Sequence, residues 1–124
     1  MLILIAEDSD DAREALKILL QGEGYRVLEA RNGSEAVALA LCRVPALIVM
    51  DINMPLMDGV TAIKELRKHD ATVRVPIVAL SALADRWQDK AFAAGCDEYV
   101  VKPCDFQELA AIIERLITTG RSRI

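Results

Sequence analysis

The stretch Leu2-Ile3-Leu4-Ile5-Ala6-Glu7-Asp8 sets the architecture of this chain. Five apolar residues run without alternation and stop at two carboxylates. A run that short and continuous is what a strand buried on both faces requires. Ala46 to Met50, Ile77 to Leu80 and Tyr99 to Val101 have the same character. Tyr25 to Glu29 instead mixes Arg26 and Glu29 with Val27 and Leu28, so one side of it meets solvent and it belongs at a sheet edge. Between these runs, Ala12, Leu16, Leu19 and Leu20 fall at helical spacing, as do Ala36, Val37, Ala40 and Leu41. Asn32-Gly33 and Gly22/Gly24 punctuate the chain as turns, and Asp58 and Asp105 stand where helix N-caps are expected. Phe106, Leu109, Ile112, Ile113, Leu116 and Ile117 mark the final helical stripe. Five strand-then-helix repeats predict an α/β, doubly wound parallel sheet with helices on both faces.

The chain has 124 residues, 53% apolar and 27% charged, with only six glycines and four prolines, which is one domain's worth of core-forming sequence. The domain is expected over residues 1–117, followed by a polar tail at 118–124. A net charge of −4 and five aromatic residues predict no nucleic-acid surface. The apolar runs fall far short of the roughly 20 residues that cross a bilayer, and no leader pattern opens the chain, so a cytoplasmic protein with no membrane contact is expected. Cys42, Cys96 and Cys104 are widely spaced beside a single histidine, His69, and read as small buried hydrophobes rather than disulfide or zinc ligands. His69 has no acidic partner in view and reads as solvated.

In an open α/β sheet, chemistry gathers beyond the carboxyl ends of the strands. There this chain carries Glu7 and Asp8, Asp51, Ser81 and Lys102. An acidic first helical turn accounts for Ser9, Asp10 and Asp11, but not for Glu7 and Asp8, which follow the strand directly. Three carboxylates brought to about 5 Å repel at about 3 kcal/mol per pair for an effective dielectric near 20, so a cation is needed. Lys102 can balance one charge, and a hard divalent ion can take the others while leaving room for phosphate oxygens. A carboxylate nucleophile, a lysine, a hydroxyl and a metal together are what phosphoryl transfer requires.

At these positions the sequence resembles the receiver domain of two-component response regulators, in its single-domain, chemotaxis-regulator-like form. The resemblance runs from Leu2 to about Ile117. It rests on Glu7-Asp8, on Asp51-Ile52-Asn53-Met54-Pro55-Leu56-Met57-Asp58-Gly59, on Ser81-Ala82, on Ala94-Gly95-Cys96-Asp97-Glu98-Tyr99, and on Lys102-Pro103. It implies a flavodoxin-like five-stranded sheet in the order 2-1-3-4-5. It implies Asp51 as phosphoacceptor from a phosphohistidine of a histidine kinase or histidine phosphotransfer protein. Mg²⁺, or Mn²⁺ in its place, would be held by Asp8, Asp51 and the main-chain carbonyl of Asn53, with Glu7 acting through water. Lys102 and Ser81 would contact the phosphoryl oxygens, Tyr99 would turn as part of the switch, and Lys102-Pro103 would be cis. Glu7 in place of aspartate and Ser81 in place of threonine keep the carboxylate and hydroxyl chemistry.

Output is then expected by protein contact through helix four, strand five and helix five, with the downstream target unidentified, as a monomer or a phosphorylation-linked dimer. The resemblance implies a phosphoacceptor signalling domain that assists its own phosphorylation and dephosphorylation rather than an enzyme. Trp87 reads either as packing or as a partner anchor. The resemblance implies that Asn53 and Leu83 flank the path of water to the acyl phosphate, and Leu83 is expected to slow hydrolysis relative to Leu83→Asn. Three alternatives stand beside this one. A receiver-like docking module would not need the intact acidic, hydroxyl and lysine set. An aspartyl-phosphate phosphatase wants an acid where Asn53 stands, and a flavin carrier wants a loop without Glu7 and Asp8, which repel phosphate.

Overall fold

The computed structural model describes residues 1–82 and 87–120. Its elements alternate as β1 (Leu2–Ala6), α1 (Asp10–Gly22), β2 (Arg26–Ala30), α2 (Gly33–Cys42), β3 (Leu47–Asp51), α3 (Gly59–Leu66), β4 (Ile77–Ser81), α4 (Gln88–Ala94), β5 (Glu98–Val101) and α5 (Phe106–Thr119). All strand pairs are parallel, in the order β2-β1-β3-β4-β5, so the flavodoxin-like arrangement and the edge position of β2 are as expected. Four strands differ from the sequence reading by one residue, β5 by beginning at Glu98 rather than Tyr99. β2 begins at Arg26 rather than Tyr25, and β3 and β4 end on Asp51 and Ser81 themselves. The ladder continues past the apolar run because Asp51 pairs with Leu80 and Ser81 with Val101. Pairing depends on backbone groups, which a polar side chain does not interrupt.

Strand alternation sends Leu4, Ala6, Ile48, Met50, Ile77 and Ala79 to one face, where residues of α2, α3 and α4 cover them. Ile3, Ile5, Leu47, Val49, Val78 and Leu80 point to the other face, under α1 and α5. In α5 the stripe places Leu109, Ile113 and Leu116 in the core, each contributing about 1.5–3 kcal/mol of burial. The helix runs through Thr119, two residues beyond 117. α1 departs from its expected face: Ala12 is exposed and Leu19 is 44% exposed, while Arg13 and Leu20 are buried. The inward face is therefore centred on 13, 16 and 20. Among the cysteines, Cys96 is buried, but Cys42 is exposed at the end of α2 and Cys104 is half-buried. His69 has an acidic neighbour after all, Glu65 one helical turn back, with Nε2 3.3 Å from Oε2.

Side-chain caps open four of the helices: Ser9, Asn32, Asp58 and Asp105 accept from Ala12, Glu35, Thr61 and Gln107 amides. Asn32-Gly33, expected as a turn, is the start of α2. A second set of joints closes the side of the sheet next to α3. Arg67, the residue after α3, donates to the carbonyls of Gly95, Thr72, Val73 and Val75 and to the Asp97 carboxylate. Asp97 in turn accepts from the Ile77 amide at the start of β4. One guanidinium thus ties α3, the entry to β4 and the turn into β5.

Candidate functional site

The carboxyl ends of β1, β3, β4 and β5 bring the predicted residues to one edge of the sheet. Glu7 and Asp8 leave β1, Asp51 ends β3, Ser81 ends β4, and Lys102 follows β5. Carboxylate oxygens of Glu7, Asp8 and Asp51 lie within 4.8 Å of one another. Glu7 and Asp51 are buried, whereas Asp8 is exposed. Lys102 Nζ donates to Glu7 Oε1 at 2.8 Å and to Asp51 Oδ2 at 3.2 Å, bridging strands that are distant in the chain. The other Asp51 oxygen accepts from the Asn53 amide at 3.1 Å, and Glu7 Oε2 accepts from the Ser9 amide at 3.2 Å.

Burial, then the proton shared with Glu7 and the charge of Glu7, push the Asp51 carboxyl up to about 6, against the pull of Lys102 and the Asn53 amide. Glu7 moves the opposite way: burial raises it, but bonding to Lys102, Asp51 and Ser9 outweighs that and holds it below the usual range. Burial also lowers Lys102, and its bonds and attraction to Glu7 and Asp51 more than compensate, so it is firmly protonated. The two buried carboxyls titrate as a pair, and Asp51 is the member whose ionisation burial and Glu7 oppose. Three hard oxygen donors gathered at a cleft suit a magnesium-like ion and not a soft metal.

Gly59 lets α3 approach this edge, because a Cβ there would run into the carbonyl oxygen of Asp51. Gly33 has the same relation to the Met57 carbonyl. Above the acidic cluster, a cleft of about 380 Å³ is lined by Asp8, Asn53, Met54, Pro55, Asp58 and Trp87. Leu56, on the lip of this loop, is 88% exposed and has φ +67°, the left-handed region that a leucine rarely adopts. Of the two readings of Trp87, the structure shows the packing. The side chain packs partly against the core, Lys90 Nζ lies 4.6 Å from its ring centroid, and its buried Nε1 has no acceptor among the described residues.

Ser81 is fully buried, and its carbonyl accepts from the Lys102 amide at 2.7 Å. Tyr99 is half-buried on the face covered by α4, which Ser81 shares by strand alternation. The Lys102–Pro103 peptide is cis. Leu83 lies outside the described residues.

The residue that sequence reasoning missed is Arg13. It is 7% exposed, and its Nη1 donates to the carbonyl of Glu7 at 2.9 Å. Its Nε reaches Glu29 at 3.2 Å and its Nη2 reaches Asp10 at 2.5 Å. The only hint in the sequence was acidic residues at Asp10 and Glu29 without another evident partner.

A family profile described as the response regulator receiver domain matches residues 3–114. The regulatory protein AtoC of Escherichia coli is 36% identical over 116 residues, which cover 93% of this chain and 25% of that protein. The transcriptional regulatory protein SrrA of Staphylococcus aureus is 36% identical over 121 residues, covering 97% of this chain and 49% of the relative. The chain therefore spans between a quarter and a half of these curated relatives. Among solved structures, the receiver domain of a sensor histidine kinase from Pseudomonas aeruginosa superposes with a TM-score of 0.90 at 33% identity, covering 95% of this chain and 98% of that one. That structure holds a magnesium ion in its active-site cleft.

Proposed function

The chain belongs to the response regulator receiver domain family, the signalling module of two-component systems, and on that premise we propose that it accepts a phosphoryl group on Asp51 from a phosphohistidine. A carboxylate oxygen of Asp51 forms the new O–P bond as the N–P bond of the donor breaks. The imidazole leaves with the electron pair. The observation that carries this reading is the Lys102 ammonium bridging Glu7 and Asp51 beside Asp8. It keeps a cation in place where phosphoryl oxygens would arrive, and it lowers the repulsion that would otherwise scatter the acidic groups.

Asp8 and Asp51, with the Asn53 main-chain carbonyl, would hold Mg²⁺ or Mn²⁺, and Glu7 would act through water. Bound there, the metal would supply charge neutralisation for the phosphoryl oxygens. Binding it would need Asp51 ionised, which burial and Glu7 oppose, so affinity would fall as pH drops through about 6. Lys102 and Ser81 would receive the oxygens of the phosphoryl group. Drawing Ser81 toward them alters the face that Ser81 shares with Tyr99, so that the surface of α4, β5 and α5 is read by a downstream protein or a second copy. Asn53 at the mouth of the cleft is placed to affect the approach of water. The domain is taken as residues 1–117 with a tail at 118–124, although α5 itself continues through Thr119.

A protein donor, a histidine kinase or phosphotransfer protein, is favoured by the surface next to the site. A groove of about 540 Å³ between α1 and α5 is lined by Ile18, Leu19, Phe106, Ala110 and Ala111 among others. Leu19 and Phe106 also line a smaller hollow that reaches Glu7 and Lys102. Apolar surface thus leads to Glu7 and Lys102, which border Asp51. No helix among the described residues is long and apolar enough to cross a membrane.

The test is intact mass after incubation with a small phosphodonor and Mg²⁺. A phosphoryl adduct is expected on the wild-type chain and not on Asp51→Asn or on wild type with EDTA. No adduct under any condition would overturn the transfer chemistry.

A further inference from the structure

Asp8 is exposed and its carboxylate makes no hydrogen bond among the described residues, so its position depends on the backbone that carries it. That backbone is held at two points. The Glu7 amide donates to the Ala30 carbonyl at the end of β2 at 3.0 Å, and the Glu7 carbonyl accepts from Arg13 Nη1 at 2.9 Å. The Glu7 carbonyl belongs to the peptide plane joining Glu7 to Asp8. Fixing that oxygen fixes the plane, and with it the direction in which Asp8 leaves the strand.

Arg13 is itself immobilised. Glu29 on β2 and Asp10 on α1 take its other two guanidinium nitrogens, and Lys17 Nζ braces Glu29 from the next turn of α1 at 3.3 Å. Asp10 first, and then Glu29, hold the guanidinium well above its ordinary value despite burial, so the clamp is charged at any working pH. A packing role alone does not require a fork of this shape. Leucine at this position would cover the sheet as well and would leave the Glu7 carbonyl unbonded.

We propose that Arg13 is a positioning residue for the acidic turn: through the Glu7 carbonyl it sets the placement of the Asp8 carboxylate relative to Asp51, and so determines affinity for the divalent cation. This rests on the reading of Glu7, Asp8 and Asp51 as a cation site. Groups behind the ligands of a metal commonly change affinity by about tenfold or more when removed.

The sign of the effect separates positioning from charge. Arg13 is a positive group near a cation site, so its field alone opposes binding, and Arg13→Met would then tighten Mg²⁺ while Arg13→Lys, which keeps the charge, would leave it unchanged. Positioning predicts weaker binding in both, because neither side chain can hold Glu7, Glu29 and Asp10 together. Calorimetric titration of the metal-free chain with MgCl₂, well below the melting temperature of each variant, gives the measurement. The expected result is a Kd raised about tenfold in Arg13→Met and by a similar factor in Arg13→Lys. Arg13→Lys keeps charge and much of the packing, and it carries the test if Arg13→Met does not fold. A lowered melting temperature with unchanged Kd, or tighter binding in Arg13→Met, would overturn the proposal. Absence of Mg²⁺ binding by wild type would overturn the cation-site reading first, and the two failures are therefore distinct.

Discussion

Asp51→Asn is expected to stabilise the metal-free protein at neutral pH, although Asp51 is the residue proposed to accept the phosphoryl group. Oxygens of Glu7 and Asp8 approach within 4.8 Å, and Lys102 lies 3.2 Å away. At an effective dielectric near 20, each repulsion is about 3.5 kcal/mol and the attraction about 5 kcal/mol. Two repulsions exceed one attraction, and burial adds to the imbalance. The same conclusion follows from the carboxyl's rise from the ordinary 3.8 to about 6, equivalent to about 3 kcal/mol before screening. Solvent at the open side of the cleft reduces this to about 1–2 kcal/mol. The sign is fixed by linkage: the folded chain holds this proton more tightly than the unfolded one, so wild type loses stability as pH rises from 3.8 to about 6 and does not recover it above. Asparagine has no such penalty. Urea denaturation should therefore show the variant more stable by about 1–2 kcal/mol at pH 7.5, with the gap nearly closed at about pH 4. Mg²⁺ at ten times its Kd should stabilise wild type by about 1.4 kcal/mol and leave the variant unmoved. A variant less stable than wild type at pH 7.5, or a gap independent of pH, would refute the reasoning.

Two glycines should respond in opposite directions to alanine. Gly59→Ala drives a Cβ into the Asp51 carbonyl and to 2.7 Å from Ile52 Cα, and should cost about 3 kcal/mol in urea denaturation. Gly22→Ala, in α1 with nothing within 4 Å, should gain about 0.5–1 kcal/mol. Asp97→Ala removes the counter-charge of Arg67 and the acceptor of the Ile77 amide, and should cost about 3–5 kcal/mol by the same assay. Leu56→Asn suits a left-handed backbone and exposes less apolar surface, so the melting temperature should rise, by an amount corresponding to about 1 kcal/mol.

The strands were legible because central parallel strands are buried on both faces and announce themselves as unbroken apolar runs. The site was legible because residues at successive strand ends converge whatever their separation in the chain. Several of the misreadings share a source. Apolar patterning treats every charged residue as facing water, so Asp51 and Ser81 were placed just outside strands whose backbone pairing includes them. For the same reason the expected inward face of α1, Ala12, Leu16, Leu19 and Leu20, includes the exposed Ala12 and Leu19 and omits Arg13. The φ of Leu56 leaves no trace in composition, since nothing about leucine marks it for that conformation.

Three cations show what periodicity cannot detect. Lys102 joins Glu7 and Asp51, 95 and 51 positions away; Arg67 reaches Gly95 and Asp97, 28 and 30 away; Arg13 reaches Glu29, 16 away. Each lies at least partly sheltered, where an unpaired charge would be costly, and each is tolerable only because its partners arrive from other elements. The apolar pattern determines which segments approach one another. These long-range contacts then hold the loops between them, and the two nearest the sheet edge, made by Arg13 and Lys102, act on the same carboxylate residue from opposite ends: Arg13 on the carbonyl of Glu7, Lys102 on its side chain. Cations thus contact Glu7 at both ends without any metal, and that is why substitutions at Arg13 and Lys102 are expected to bear on the site more than their place in the sequence suggests.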